Sequence, residues 1–435
     1  MFSDQAPSKR KHGANLNNEN RKQGIERDMA GPLTDIRVLD LSRVLAGPWC
    51  TQILADMGAE VIKIERPGTG DDTRHWGPPW LVDADGNETR ESAYYLSANR
   101  GKHSVTVDIG APAGQALIKE LVARCDILVE NFKTGDLAKK GLAYDDLAAI
   151  NPGLIYCSIT GFGQTGPMAQ DAGYDYLIQG MGGLMSITGI PDGEPGGGPQ
   201  RVGVAVSDLT AGMNATIGIL AALHHKQQTG DGQHLDISLL DVQVSWLANQ
   251  ALNYFTSANV PARTGAYHPN LAPYQPFQTS DGQIIIAIGN DGQFQRFCKE
   301  AGCEQLSSDP RFATNPDRVS KRSELAEKLA AVVIERTSQQ WLDSLRVVSV
   351  PCGPIYTIDE VFEDPQVRHR GLKIELENSG YGTVPGLANP VKFSKTEIQY
   401  SKAPPLLGDD TETTLCRLLD KTPEQIAELR EAGVI

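Results

Sequence analysis

In the stretch VGVAVSDLTAG, residues 202 to 212, a single carboxylate, Asp208, stands between an apolar run and the start of a long helix-like segment. Two roles fit an aspartate there. It can cap the helix by accepting a bond from a first-turn N–H, worth about 1 kcal/mol over alanine, or it can attack an electrophilic carbonyl as a nucleophile. The partner that would complete a capping box is absent, because Ala211 sits three residues on where Glu or Gln is needed. The two roles are also compatible, since a helix N-terminus stabilises a carboxylate anion. The local pattern by itself favours the cap.

Other side chains carry weaker signals. Arg43 in SRVLAGP, Arg66 in VIKIERPG, and Lys133, Lys139 and Lys140 in NFKTGDLAKKG each follow a strand-like run. Arg43 taken alone reads better as a solvated surface arginine; in a chain of net charge -14, the recurrence of the others fits one convergent pocket for a phosphorylated ligand, and it fits ordinary surface charge equally well. The glycine triplet at 196 to 198 lacks the preceding strand, following helix and Lys-Ser/Thr pair of a phosphate loop, and reads as a flexible loop. The eight histidines show no metal-ligand spacing, so no metal site is expected.

These groups need elements to position them. A βα rhythm starts at IRVLDLS (36 to 42) and continues through GPWCTQILADMG (47 to 58), EVIKIE (60 to 65), SVTVDI (104 to 109), AGQALIKELVARC (113 to 125), DILVEN (126 to 131) and LIYCSIT (154 to 160). Such alternation predicts an α/β fold with a parallel sheet covered on both faces. HLDISLL (234 to 240) adds a strand, and residues 241 to 255 one helix. Past residue 256, HPNLAPYQPFQTSDGQIIIAIG carries a hairpin signal. The chain is therefore divided into a polar, disordered tail at 1–30, a large domain from 31–255, a smaller α+β domain at 260–365, and a return to the large domain at 366–435. The tail leaves open whether Met29 is the natural start.

Composition excludes several classes. No run of about 18 consecutive apolar residues is present, so no membrane span is expected. The acidic balance argues against nucleic acid as a partner. Seven cysteines, odd in number and without a C-x-x-C pair, read as reduced thiols. A cytoplasmic location follows, or the mitochondrial matrix if the source is eukaryotic.

Taken together, the blocks RVLDLSRVLAGPWCTQILADMGAEVIKIERPGTGDDTR, DILVENFKTG, SITGFGQTGP, GYDYLIQGMGGLMSITG, VGVAVSDLTAGMNA, RTGAYHPNLAPYQPF, VPCGPI and PPLLGDDTE resemble the class III CoA-transferase (CaiB/BaiF) family, from about residue 31 to the C-terminus. The resemblance implies a Rossmann-like large domain built from both ends of the chain, a small domain between them, and an interlocked homodimer. It places the family's nucleophilic aspartate on Asp208. It puts coenzyme A contacts on Val44, Leu45 and Ala46, on Arg66, Val107, Asn131, Phe132, Lys133 and Lys139, and on Tyr174 with Asp175. Coenzyme A thioester is then a substrate, with no permanently bound cofactor.

The implied reaction moves CoA from an acyl-CoA to a carboxylic acid through an aspartyl anhydride and an aspartyl thioester, with N–H groups at the helix start stabilising the oxyanion. HPNLAPYQPF and VPCGPI resemble the dicarboxylate branch, which points to succinyl-CoA as donor and a short dicarboxylate as acceptor, its distal carboxylate met by Arg263 or His268. Leu45 replaces the glutamine of the formyl-CoA branch. An α-methylacyl-CoA racemase is the family alternative, disfavoured because Tyr174 stands where that enzyme has a histidine base, and tyrosine with a pKa near 10 is a poor base. A non-catalytic CoA-binding protein is the alternative of another class.

Overall fold

The computed structural model describes residues 31–378 and 380–435; the tail expected at 1–30 lies outside the described residues. Short runs rich in Val, Ile and Leu form six strands: β1 (Arg37–Asp40), β2 (Glu60–Glu65), β3 (Lys102–Thr106), β4 (Ile127–Glu130), β5 (Ile155–Thr160) and β6 (Gln233–Ser238). All pair in parallel, in the order β3–β2–β1–β4–β5–β6. This is the order of doubly wound dinucleotide-binding sheets, reached here without their glycine fingerprint. The expectation of a Rossmann-like α/β fold holds.

Successive strand residues face opposite ways, as a period of two requires. Val38, Val61, Ile127 and Ile155 point to one core, with residues of the helices α1 (Ala46–Asp56) and α4 (Val206–Thr229). Leu39, Ile62, Leu128 and Tyr156 point to the other, with α2 (Pro112–Val122) and the C-terminal residues Leu415, Leu418, Ile426 and Val434. The end of the chain thus completes the core that its beginning starts. By length and composition α4 is apolar enough to cross a membrane, with mean hydropathy 1.3 in its most apolar window, although it has no run of about 18 consecutive apolar residues. In this fold its Ala211, Ala215, Ile219, Ala222 and Leu223 are buried in the core instead.

Between these halves, β7 (Tyr274–Gln278), β8 (Gln283–Ala287) and β9 (Cys352–Pro354) form an antiparallel sheet. Its Phe277, Ile284 and Ile286 share a separate core with Phe294, Phe297, Leu325, Leu329 and Trp341. The third strand has only three residues, too few to show a period. Two hairpins, Trp80–Val82 with Glu88–Ser92 and Lys373–Asn378 with Gly382–Leu387, were also not foreseen. The single helix expected at 241 to 255 is two, Leu239–Ser245 and Ala248–Ser257, separated where Ala248 takes φ +44. The seven cysteines are all free thiols, five of them buried.

Candidate active site

Strand order in the large sheet reverses between β1 and β4, and a crevice opens at the carboxyl ends of strands at such a point. The chain leaving β1 supplies Arg43, Val44, Leu45 and Ala46 to that crevice, and the chain leaving β4 supplies Asn131, Phe132, Lys133 and Thr134. With Tyr174, Asp175 and Asp208 they line a cleft of about 540 Å³. A larger groove of about 950 Å³ runs past Asp56, Arg100, His103 and Lys402, where Arg100 pairs with Asp56 and Lys402 with Asp410. The smaller cleft holds Asp208.

Asp208 does not cap its helix. α4 starts at Val206 behind Ala205, which has no side-chain acceptor, so Asp208 is the third helical residue. The cap comes from another element. Asp175, first residue of α3 (Asp175–Met181), accepts the N–H of Ser207 at 2.8 Å and that of Asp208 at 3.3 Å through one oxygen, and the Gln179 amide at 2.7 Å through the other. The N–H of Val206 bonds the Val204 carbonyl and that of Leu209 the Ala205 carbonyl. Every donor of the first turn is therefore taken, which corrects the expectation that these groups stabilise an oxyanion.

The consequence for Asp208 is electrostatic. The residue is half-buried, and burial first, then the neighbouring Asp175 carboxylate, push its pKa up to about 7. A carboxyl group poised near neutrality in a cleft is a candidate for a functional site. Tyr94, which the sequence reading missed, sits in the same field: burial, then Asp208, Asp175 and Asp71, push its hydroxyl up to about 12. Its ring meets Trp76 edge-on at 5.1 Å, and Trp76 and Asp72 line the cleft. Both come from the connection after β2, where Asp71 caps the short 3-10 turn Asp72–His75 by accepting the Thr73 N–H.

The remaining expected positions divide into three groups. Val44, Leu45, Ala46, Asn131, Phe132, Lys133, Tyr174 and Asp175 border the cleft with Asp208. Arg66 and Val107 border an adjoining pocket of about 80 Å³, which shares Arg43 and Phe132 with it. Lys139 borders neither; its ammonium pairs with Asp136 at 2.8 Å and is largely exposed. Arg263 and His268 also lie outside the cleft. The Arg263 guanidinium holds the loop near 190 through the Ile190 carbonyl and the Asp192 carboxylate, and the His268 ring packs on Tyr274 at 5.0 Å. The glycine triplet at 196 to 198 is not among the residues lining the cleft.

Groups behind the cleft hold it in shape. Glu130, buried at the end of β4, accepts the N–H of Phe132 at 2.8 Å; burial pushes its carboxyl up to about 7. Arg43 spans the mouth, paired with Asp72 at 3.2 Å and stacked over Phe132 at 5.1 Å. Its Nε, like the Thr134 hydroxyl, is buried with no partner in the protein. Such orphaned polar atoms in a cleft fit a polar ligand. No cluster of three or more metal-ligating side chains occurs among the described residues.

Comparison with known proteins follows the same direction. The family described as CoA-transferase family III matches residues 33–411. The chain is 48% identical over 387 residues to a succinate--glutarate CoA-transferase of Agrobacterium fabrum, covering 89% of this chain and 96% of that one. It is 44% identical over 406 residues to the human succinyl-CoA:glutarate CoA-transferase, covering 93% and 90%. A solved CaiB/BaiF family protein from Brucella suis superposes with a TM-score of 0.79 at 46% identity, covering 89% of this chain and 100% of that one.

Proposed function

From the premise that this chain belongs to CoA-transferase family III and is a CoA-transferase, we propose that it moves CoA from succinyl-CoA to a short dicarboxylate of the glutarate type, with Asp208 as nucleophile. The observation that carries the reading is the position of Asp208: a half-buried carboxylate with its pKa near 7, facing the cleft at the point where the sheet order reverses.

A carboxylate suits this exchange. An Asp208 oxygen attacks the thioester carbonyl, the carbon–sulfur bond breaks, and CoA thiolate leaves behind a mixed anhydride. The thiolate attacks the aspartyl carbonyl, releasing succinate and storing CoA as an aspartyl thioester. The acceptor carboxylate then attacks that thioester and displaces the thiolate. The thiolate takes the acceptor's acyl group from the new anhydride and frees Asp208. Each step exchanges one acyl bond for another, so no ATP is consumed. Lys133, and Arg66 in the adjoining pocket, supply cationic groups for the phosphates of CoA, and their charge offsets the repulsive average field of an acidic protein.

The substrate assignment rests on relatives named for succinyl-CoA or succinate and glutarate at 44–48% identity. We further propose a homodimer. Tyr176, Leu177 and Met181 of α3, Met213 and Ile217 of α4, and Val244 of the helix Leu239–Ser245 are exposed apolar residues on three mutually packed helices beside the cleft. A reducing compartment, the cytoplasm or the mitochondrial matrix, suits seven free thiols.

Intact-mass spectrometry after mixing the protein with succinyl-CoA tests the mechanism. A CoA adduct, removed by hydroxylamine and missing in Asp208→Ala, is the expected result. Transfer that survives Asp208→Ala removes the nucleophile, and epimerisation of a 2-methylacyl-CoA in place of transfer would promote the racemase reading.

A further inference from the structure

The turn that carries Val44 into the cleft is strained, and buried side chains hold it. Val44 has φ +71, a left-handed conformation that is unfavourable for a β-branched residue and persists only where the surroundings over-determine it. Among the described residues, no backbone–backbone hydrogen bond outside the helices and strands involves residues 42–44. Instead Asp40 accepts the Ser42 N–H at 2.9 Å and Lys63 donates to the Ser42 carbonyl at 3.0 Å. Asn131 accepts the Arg43 N–H at 2.8 Å and donates to the Arg43 carbonyl at 2.6 Å. Asp71 receives the Val44 N–H at 3.3 Å on each oxygen.

Behind this grip lies an ionic layer out of contact with water. Lys63 pairs with Asp71 at 2.9 Å and Lys102 with Asp40 at 3.1 Å, all four side chains at 0% exposure. Asp71 also takes the N–H and hydroxyl of Thr73 at 3.0 and 2.8 Å, fixing the segment that brings Asp72 and Trp76 to the cleft. A buried ion pair is weak evidence for stability and has its best-attested use in fixing one arrangement among several. Here the arrangement fixed is the strained one. Past Val44, Leu45 has no side-chain cap to offer α1, and α1 packs at Ala46 against Gly212, one turn beyond Asp208.

We propose that Asp71, with Lys63, is a positioning residue that holds the Val44 turn in its left-handed form, so that the main chain of residues 44–46 is preset to receive coenzyme A opposite Asp208. This rests on the CoA-transferase reading of the cleft. It concerns a buried ion pair that acts through the main chain of the turn, at the wall of the adjoining pocket that also holds Arg66, and it explains why a valine is tolerated where glycine is the ordinary choice.

Calorimetric titration with coenzyme A itself, alongside steady-state kinetics, tests the proposal on the full-length protein. Asp71→Asn is expected to weaken CoA binding about tenfold or more and to raise KM for the acyl-CoA far more than it lowers kcat. Adding Val44→Gly to that variant should restore affinity to within about threefold of wild type, because glycine adopts φ +71 without being held there. A purely structural loss would not be rescued at residue 44. Val44→Pro reaches the same point without touching the buried pair, since proline cannot take a positive φ and has no N–H for Asp71; it should abolish CoA binding while the protein stays folded by circular dichroism. Wild-type affinity in folded Asp71→Asn or Val44→Pro, or no rescue by glycine, overturns the proposal and leaves the assigned function standing. Absence of CoA binding by wild type removes both.

Discussion

At Asp208 reactivity and stability oppose each other. An aspartate ordinarily titrates near 3.8, and here burial and Asp175 move it to about 7. In the proposed mechanism the raised value makes the anion a better nucleophile and keeps part of the free protein protonated near pH 7. Expected kinetics follow: kcat/KM for the acyl-CoA falls tenfold per pH unit below about 7 and is flat above it, measured by stopped-flow or coupled assay across pH 5 to 9. The stability effect has the same origin. Because the folded state holds the proton more tightly than the unfolded one, raising the pH from about 4 to 7 ionises a poorly solvated group and costs stability. Asp208→Asn, which never ionises, should lose transfer activity by at least about 10³-fold. It should also unfold about 1 °C higher than wild type at pH 8, on the order of 1 kcal/mol after allowing for its partial exposure, and the difference should vanish below pH 4.

Two contacts between elements set where Asp208 stands. Asp175 at the start of α3 caps α4 with a charge, so the two effects of that carboxylate can be separated. Asp175→Asn keeps an acceptor for the Ser207 N–H but removes the like charge; the acid limb of the pH profile should move to lower pH, with little change in melting temperature. Asp175→Ala removes the cap as well and should cost about 1 kcal/mol. The second contact is the crossing of α1 and α4. A Cβ on Gly212 would lie 2.5 Å from the Ala46 carbonyl oxygen and 3.2 Å from the Cys50 nitrogen. Both neighbours are backbone, so they cannot swing aside. Gly212→Ala should push the helices apart, cost about 1–3 kcal/mol in thermal or denaturant unfolding, and damage kcat and KM together by separating residues 44–46 from Asp208.

Over the whole molecule, the chain's last residues close the core begun by its first. Leu415, Leu418, Ile426 and Val434 share a cluster with Leu39 and Ile62, and the Asp410 carboxylate binds the Ser104 N–H beside β3 at 3.0 Å. Truncation before residue 411 should therefore leave an insoluble product rather than an active large domain. The helices around the cleft keep an apolar outer face, and in the homodimer we propose this face is covered. Met213→Asp with Ile217→Asp should convert the particle, by light scattering after size exclusion, from twice the chain mass to the chain mass. Wild-type protein running as a monomer would refute the dimer.

Period and composition in the sequence were enough to indicate the parallel sheet and its two covered faces, because Val38 and Leu39, or Ile127 and Leu128, can be buried on opposite sides only in a sheet with two cores. Collinear blocks from about residue 31 to the C-terminus carried the family, and with it the weight on Asp208, which the local pattern alone assigned to a cap. The third dimension decided the rest. That the cap is Asp175, 33 residues earlier in the chain, that Lys139, Arg263 and His268 stand away from the cleft, and that a valine is held left-handed by Asp71 are all matters of contact between distant segments. No window of sequence contains both partners of such contacts, and the field at one carboxylate is the sum over whatever the fold brings near it.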